Sequence, residues 1–346
     1  MAFTGGERQF RACREIDYRA LRLLTERSEG GSPLKKRMAL SKLEKAWRQG
    51  RLGYPEDEPT DWKWRMCEAR MMLGWYGDWG GWEYRSEWSA GLWHNPEGAW
   101  DGSRVDRLWV FGEQGVGDEV CFGQVLKDVV PMVGSVVLET EPRLVGIFER
   151  SLGVEARPAV FRDGKRYFGK PEGPWMALGD LLRYFRKDLS QFRREPYLKA
   201  LPEQVERFWG FKGRVGISWR GAQGSYPLGE FCEAARVHGT PLSLQYDTGW
   251  DEDVVAPPCD LRNDLEGVLG LLSNLSRLLT VSTSVAHFAG ALGIPVDLIL
   301  APTNGVRKNL LPFKWYCEPM LPRTCWYGDN VRVYRSLDEY RNYLKD

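Results

Sequence analysis

The sequence predicts an α/β protein with two parallel-sheet domains behind a short helical N-terminal appendage, and three observations carry that prediction. Strand-like and helix-like stretches alternate in two blocks, one from residue 107 and one from residue 214. Several of the strand-like stretches are short and apolar without alternation, such as residues 278–281, which suits strands covered on both faces. The chain has 346 residues, enough for two domains with cores of their own.

Taken in order, Phe10, Cys13, Ala20, Leu21 and Leu24 mark one helical face, and Leu34, Met38, Leu43, Ala46 and Trp47 mark a second after the Gly-Gly-Ser-Pro break at 30–33. Trp64, Cys67, Met71, Met72 and Trp75 give a third. Eight tryptophans fall between Trp62 and Trp100, many beside Gly or Asp. Such density reads either as a stacking platform for sugars or bases or as packing between short helices.

Residues 107–112 form the first strong strand, and the loop GEQGVGDEV follows it directly. Gly115 and Gly117 let backbone approach a ligand, and Asp118 and Glu119 stand where the next helix starts. The glycine spacing does not match a dinucleotide fingerprint, and no phosphate-loop motif with its Gly-Lys-Ser/Thr ending occurs. A strand at 135–140, a helix at 142–151, a third strand at 159–161 and a helix at 176–185 complete the first block. The polar, Arg-rich run 186–213 reads as the connection between domains.

The second block opens with a strand at 214–219, followed by a loop holding Arg220, Gly221 and Gly224. A helix at 228–237, a strand at 241–245 and a helix at 265–275 lead to the clearest unit of the chain. There the strand 278–281 runs into Ser282, Thr283 and Ser284, then a helix bearing Val285, Phe288, Ala289 and Leu292, then Gly293 and a strand at 295–300. Small hydroxyl residues at a helix start cap its free N–H groups, and those groups also hold anions. His287, one of three histidines, falls on the first turn of that helix and reads either as a ligand group or as a structural residue. A strand at 331–334 and a helix at 337–344 close the chain. These boundaries give a helical, Trp-rich region over 1–100, a first sheet domain over 101–200, a second over 201–330, and the closing strand and helix over 331–346.

Composition excludes several classes. Hydrophobic residues make up 43%, charged residues 27%, and the formal charge is +1, which leaves no global bias towards nucleic acid or anionic membrane. The balance is uneven, because residues 1–50 carry twelve Lys or Arg against six Asp or Glu. The seven cysteines are scattered and include no C-x-x-C pair, which argues against a disulfide framework or a zinc site. No signal-peptide pattern and no run of about 20 apolar residues occurs, so a soluble, cytoplasmic protein is expected.

Five motifs in order carry a resemblance: EQGVGDEVCFGQVL (113–126), ETEPRLVGIFERSL (139–152), RVGISWRG (214–221), LSLQYD (242–247) and VSTSVAHFAGALGIPV (281–296). Together they resemble glycosyltransferase family 9, the heptosyltransferase-like enzymes, and among these the branch often fused to tetratricopeptide repeats. GDWGGWEYR (77–85) resembles, in shortened form, the pattern that ends the repeat helices of that branch. The resemblance implies a GT-B fold of two Rossmann-like domains facing a cleft, the first binding acceptor and the second a nucleotide-diphosphate sugar. It also implies inverting transfer with no metal and no further cofactor.

Carried over residue by residue, Asp118 matches the general base that takes the acceptor hydroxyl proton, with capping of its helix as the alternative. Glu113, Gln114, Gly115, Gly117 and Gln124 belong to the acceptor-side loop. Thr283, Ser284 and His287 match the donor-binding turn, to which Ser282 also belongs, and there N–H groups, hydroxyls and imidazole would hold the diphosphate. Arg220 and Gly221 lie in the loop after the first strand of the second domain, where a guanidinium suits phosphate or an ordinary surface ion pair. Two departures stand out: Ser282 replaces the Asp of many heptosyltransferases, and Gln124 replaces an Arg common in the repeat-fused branch.

The expected acceptor is a glycan, a lipid-linked molecule or a protein. The basic arm with Lys35, Lys36 and Arg37, together with the tryptophans, motivates a second expectation of transfer to hydroxymethylated bases in phage-type DNA. The two departures motivate a third, a non-catalytic module that binds sugar nucleotides and partners.

Overall fold

The computed structural model describes residues 98–345 except 114, 163–164, 168, 223, 247–253, 302–312, 316 and 318–319. Before residue 98 it describes Cys67, Glu68, Arg70, Met71, Tyr76, Gly77, Trp79 and Trp82. The two expected N-terminal helices, the basic run 35–37 and Gln114 lie outside the described residues.

The first domain runs β1 (Arg107–Phe111), α1 (Val116–Gly123), α2 (Leu126–Val129), β2 (Ser135–Thr140), α3 (Val145–Leu152) and β3 (Glu155–Pro158). A hairpin of β4 (Val160–Arg162) and β5 (Lys165–Tyr167) follows, then β6 (Trp175–Ala177) and α4 (Leu182–Phe185). The four-stranded sheet has the order β3-β2-β1-β6, with every pairing parallel. Leu108 to Phe111 are buried in succession, as the unalternating run requires of a central strand.

Two elements differ from expectation. The third strand is β3 rather than 159–161, whose residues Val160 and Phe161 enter the exposed hairpin. The stretch 176–185 begins as β6, because Trp175 to Ala177 pair with β1, and only then turns helical. Three apolar residues have no readable period, so the pairing decides what periodicity cannot.

The second domain opens with α5 (Pro202–Arg207), inside the stretch read as a connection. It continues through β7 (Val215–Ser218), the small hairpin β8 (Arg220–Gly221) and β9 (Gly224–Ser225), α6 (Leu228–Arg236), β10 (Pro241–Ser243) and α7 (Leu265–Leu272). Then come β11 (Arg277–Thr280), α8 (Ser284–Leu292), β12 (Val296–Ile299), β13 (Val331–Tyr334) and α9 (Leu337–Tyr343). The sheet order is β10-β7-β11-β12-β13, again parallel throughout. The closing strand β13 is thus the edge of the second sheet. The fold is the expected α/β arrangement of two parallel sheets with helices packed against them.

The domains meet through α1 and α8, and the connecting segment fastens that contact. The Tyr197 and Leu198 N–H groups donate to the Ala291 carbonyl near the end of α8 at 2.8 and 3.0 Å, while the Tyr197 hydroxyl donates to the Val120 carbonyl in α1. Gly293, at φ +83°, ends α8 in the left-handed region that glycine tolerates, and its open side faces the Pro196 ring.

The described tryptophans of the Trp-rich region are packing groups. Trp79, Trp82 and Trp100 are buried, and the Trp82 indole N–H donates to the Gly179 carbonyl at 2.9 Å. Trp82 also meets Phe122 and Phe313 edge to face, which ties the N-terminal region to the contact between domains. No described helix is long and apolar enough to cross a membrane.

Candidate functional site

In open parallel sheets, ligands bind beyond the carboxyl ends of the strands where the strand order reverses. In the first sheet the chain leaves β1 towards β2 on one side and returns to β6 on the other, so the reversal flanks β1. In the second it leaves β7 for β10 and returns to β11 on the opposite side. The turn after β1 carries Gly115 and leads into Gly117 and Asp118 at the start of α1; β8, just after β7, carries Arg220 with Gly221, and the turn after β11 carries Ser282 with Thr283. Topology alone therefore brings the sequence candidates to two crevices.

The contact between α1 and α8 sets the helix after β1 directly against the helix after β11. A Cβ on Gly117 would lie 3.1 Å from His287 Cδ2 and 3.3 Å from the Ser284 Cα, so a side chain there would crowd the two helix starts and its neighbours would have to give way slightly. Gly221 plays the same part within the second domain, where a Cβ would run into the Ser282 carbonyl.

Asp118 lies inside the first turn of α1 rather than at its cap, since the N-cap position belongs to Gly115 and no side chain caps the helix. The helix dipole favours a carboxylate there. Its partner is the Lys314 ammonium, from a segment the sequence reading passed over. The pair is partly open, with side-chain exposures of 33% for Asp118 and 21% for Lys314.

Thr283 is the N-cap residue of α8, but its hydroxyl lies 3.2 Å from that of Thr280 and caps no helical N–H. Ser284, the first helical residue, is exposed. Ser282 accepts a hydrogen bond from the Trp315 indole N–H at 2.8 Å. His287 is buried, with Nδ1 2.7 Å from the Tyr327 hydroxyl and its ring stacked on Trp315 at 4.3 Å between centroids. Burial pulls its pKa down to about 3. The imidazole is neutral at pH 7, so positive potential at this helix end comes from its N–H groups.

Arg220 is exposed at the rim, its backbone N–H donating to Gln245 Oε1 at 3.1 Å. Beside it lies an open recess of about 520 Å³ lined by Trp219, Arg220, Ser225, Tyr226, Pro227 and Leu228.

Other loop residues are committed internally. Glu113 is buried and its Oε1 accepts the Gly179 N–H at 2.7 Å. Gln124, also buried, donates from Nε2 to the Trp326 carbonyl at 2.9 Å. Glu119 forms a buried ion pair with Arg166 at 2.6 Å and accepts from the Thr140 hydroxyl and, at 3.2 Å, the Glu141 N–H. Burial raises the Glu119 pKa, and the nearby guanidinium opposes that rise. Arg166 also donates to the Glu113 and Glu139 carbonyls, so it holds the loop after β1 against the hairpin. Sequence patterning gave no signal for Arg166, Lys314, Trp315 or Tyr327, because none sits in a periodic or motif-bearing stretch.

Among the described residues, no group of three or more His, Cys, Asp or Glu side chains is placed to hold a metal ion. No family model matches the chain. It is 27% identical over 325 residues to protein FlbA of Caulobacter vibrioides, a match covering 80% of this chain and 54% of that protein. The chain thus spans about half the length of this curated relative. Among solved structures, the family 9 glycosyltransferase of Veillonella parvula aligns at 12% identity and a TM-score of 0.48, covering 72% of this chain and 91% of that one. The ADP-heptose lipopolysaccharide heptosyltransferase II of E. coli aligns at 9% identity and a TM-score of 0.42, covering 69% and 97% respectively.

Proposed function

We propose that the protein is an inverting, metal-independent glycosyltransferase that moves a sugar from a nucleotide-diphosphate sugar to an acceptor hydroxyl. The observation that carries this reading is the abutment of Gly117 on Ser284, which puts a carboxylate at the start of one helix beside a polar helix N-terminus of the other domain. The first suits a general base and the second suits a diphosphate.

The acceptor oxygen attacks the anomeric carbon while Asp118 takes its proton. The bond from that carbon to the phosphate oxygen breaks, and its electron pair leaves with the diphosphate on the side opposite the attack. The α8 N–H groups, the Thr283 and Ser284 hydroxyls and the Arg220 guanidinium support the departing charge. The recess beside Arg220 offers room for the nucleoside.

The test is thermal unfolding with UDP, GDP, ADP, TDP and CDP and their sugars. A ligand at 100 times its dissociation constant adds about 2.7 kcal/mol, a shift of roughly 5–10 °C for domains of 150–250 residues. Ser284→Asp places a charge that suits a helix start but repels phosphate, so it should keep the unliganded Tm and abolish the shift. If no compound on the panel shifts the folded wild-type protein, the donor site assigned here is wrong.

A further inference from the structure

Lys314 belongs to no regular element, yet its place is fixed by its two neighbours. Phe313 is buried against the Trp82 ring at 6.0 Å between centroids. Trp315 is buried against His287 and bonded to Ser282. One neighbour anchors to the N-terminal region and the other to the donor-side turn, so Lys314 is held over the contact between the domains. Its ammonium lies 5.4 Å from the Phe122 ring centre and 5.6 Å from that of Phe313, and it pairs with Asp118.

Both members of this pair adjoin the helix start assigned to the diphosphate. Asp118 follows Gly117, whose open side faces the Ser284 Cα, and Lys314 precedes Trp315, whose indole reaches Ser282. An ammonium seated on a carboxylate competes with an acceptor hydroxyl for the same lone pairs. A lysine is a point charge on a flexible stem, able to change partners by side-chain rotation, and a diphosphate offers more negative charge than one carboxylate.

We propose that Lys314 is a donor-responsive latch on Asp118, pairing with the carboxylate when no donor is bound and turning to the phosphates when one is. This rests on the glycosyltransferase reading above. Donor binding then neutralises the leaving group and uncovers the base in one movement, so the acceptor finds a competent base only after the donor is seated.

The experiment compares wild type, Lys314→Gln and Lys314→Arg by calorimetry with UDP, GDP, ADP, TDP and CDP and with the matching nucleosides. Crystal structures of wild type alone and with the tightest diphosphate accompany it. For Lys314→Gln we expect about tenfold weaker diphosphate binding, in line with loss of one charge-assisted contact, with nucleoside binding unchanged. Lys314→Arg should recover most of the loss, and Nζ should lie on Asp118 in the free crystal and on a phosphate oxygen in the complex. If diphosphate binds wild type and Lys314→Gln equally, or Nζ stays on Asp118 in the complex, the latch is overturned while the donor site stands. If no diphosphate binds the folded wild type, the donor site and the latch fall together.

Discussion

The Trp315 indole serves Ser282 and His287 at once, donating its N–H to the Ser282 hydroxyl at 2.8 Å while its ring stacks on the imidazole with 25° between planes. The donor-side turn and the first turn of α8 are therefore braced by one side chain from outside both. Trp315→Phe keeps an aromatic ring but loses the hydrogen bond, at a cost of about 1 kcal/mol. A fall in Tm of roughly 2–4 °C is expected, together with a smaller nucleotide-induced shift, both measurable in the same melting series.

His287 should leave a mark on acid stability. Its folded pKa is depressed from 6.5 to about 3, so the unfolded chain takes up a proton that the folded one refuses as pH falls below 6.5. Stability from this group is complete above about pH 6.5 and declines as pH falls towards 3, with each pKa unit worth about 1.4 kcal/mol. Urea unfolding at pH 7.5 and pH 5 should show that decline in wild type and a distinctly smaller one in His287→Asn. Equal declines in the two proteins would mean that the ring is not held neutral.

Gly117→Ala separates packing from catalysis. Alanine favours the helix by about 1 kcal/mol over glycine, but its Cβ meets the Ser284 backbone and the His287 ring. The gain and the crowding partly offset each other, so unfolding free energy should change by less than about 1 kcal/mol. Sugar transfer should fall roughly 10- to 100-fold, because the helix starts that align the reactants are pushed apart. Steady-state kinetics with the donor found on the panel would read this.

Arg166→Met would leave Glu119 charged, buried and without its guanidinium. The expected loss is about 3–5 kcal/mol, recovered in good part when Glu119→Gln is added to remove the orphaned charge. Chemical denaturation of wild type, both single variants and the double variant measures the coupling.

Much of this arrangement was legible in the residues. The strand–turn–helix unit around Ser282 to Ser284 shows its helical period and its terminal glycine in one uninterrupted stretch, and strand, helix and glycine fold as read, but the hydroxyls expected as caps bond no helical N–H. Gly117 and Asp118 could be placed at the helix start after β1, where the structure has them, because glycine and acidic residues between an apolar strand and a helical period mark such a start. His287 could be placed on the right turn, but its neutrality could not, since that follows from Tyr327 and Trp315 arriving from forty and twenty-eight residues away. Lys314 was silent for a related reason. A lysine between two aromatics has no local meaning until both aromatics find their pockets.

Tyr197 has a mechanical consequence. Its backbone is tied to the far end of α8 and its hydroxyl to α1, so the link between the domains is sewn to the same two helices that bring them into contact. Opening by sliding would tear those bonds, whereas swinging like a book about a spine made of α1 and α8 leaves them whole. Atoms near a spine travel least. Asp118 and Ser284 would keep their spacing as the covers move.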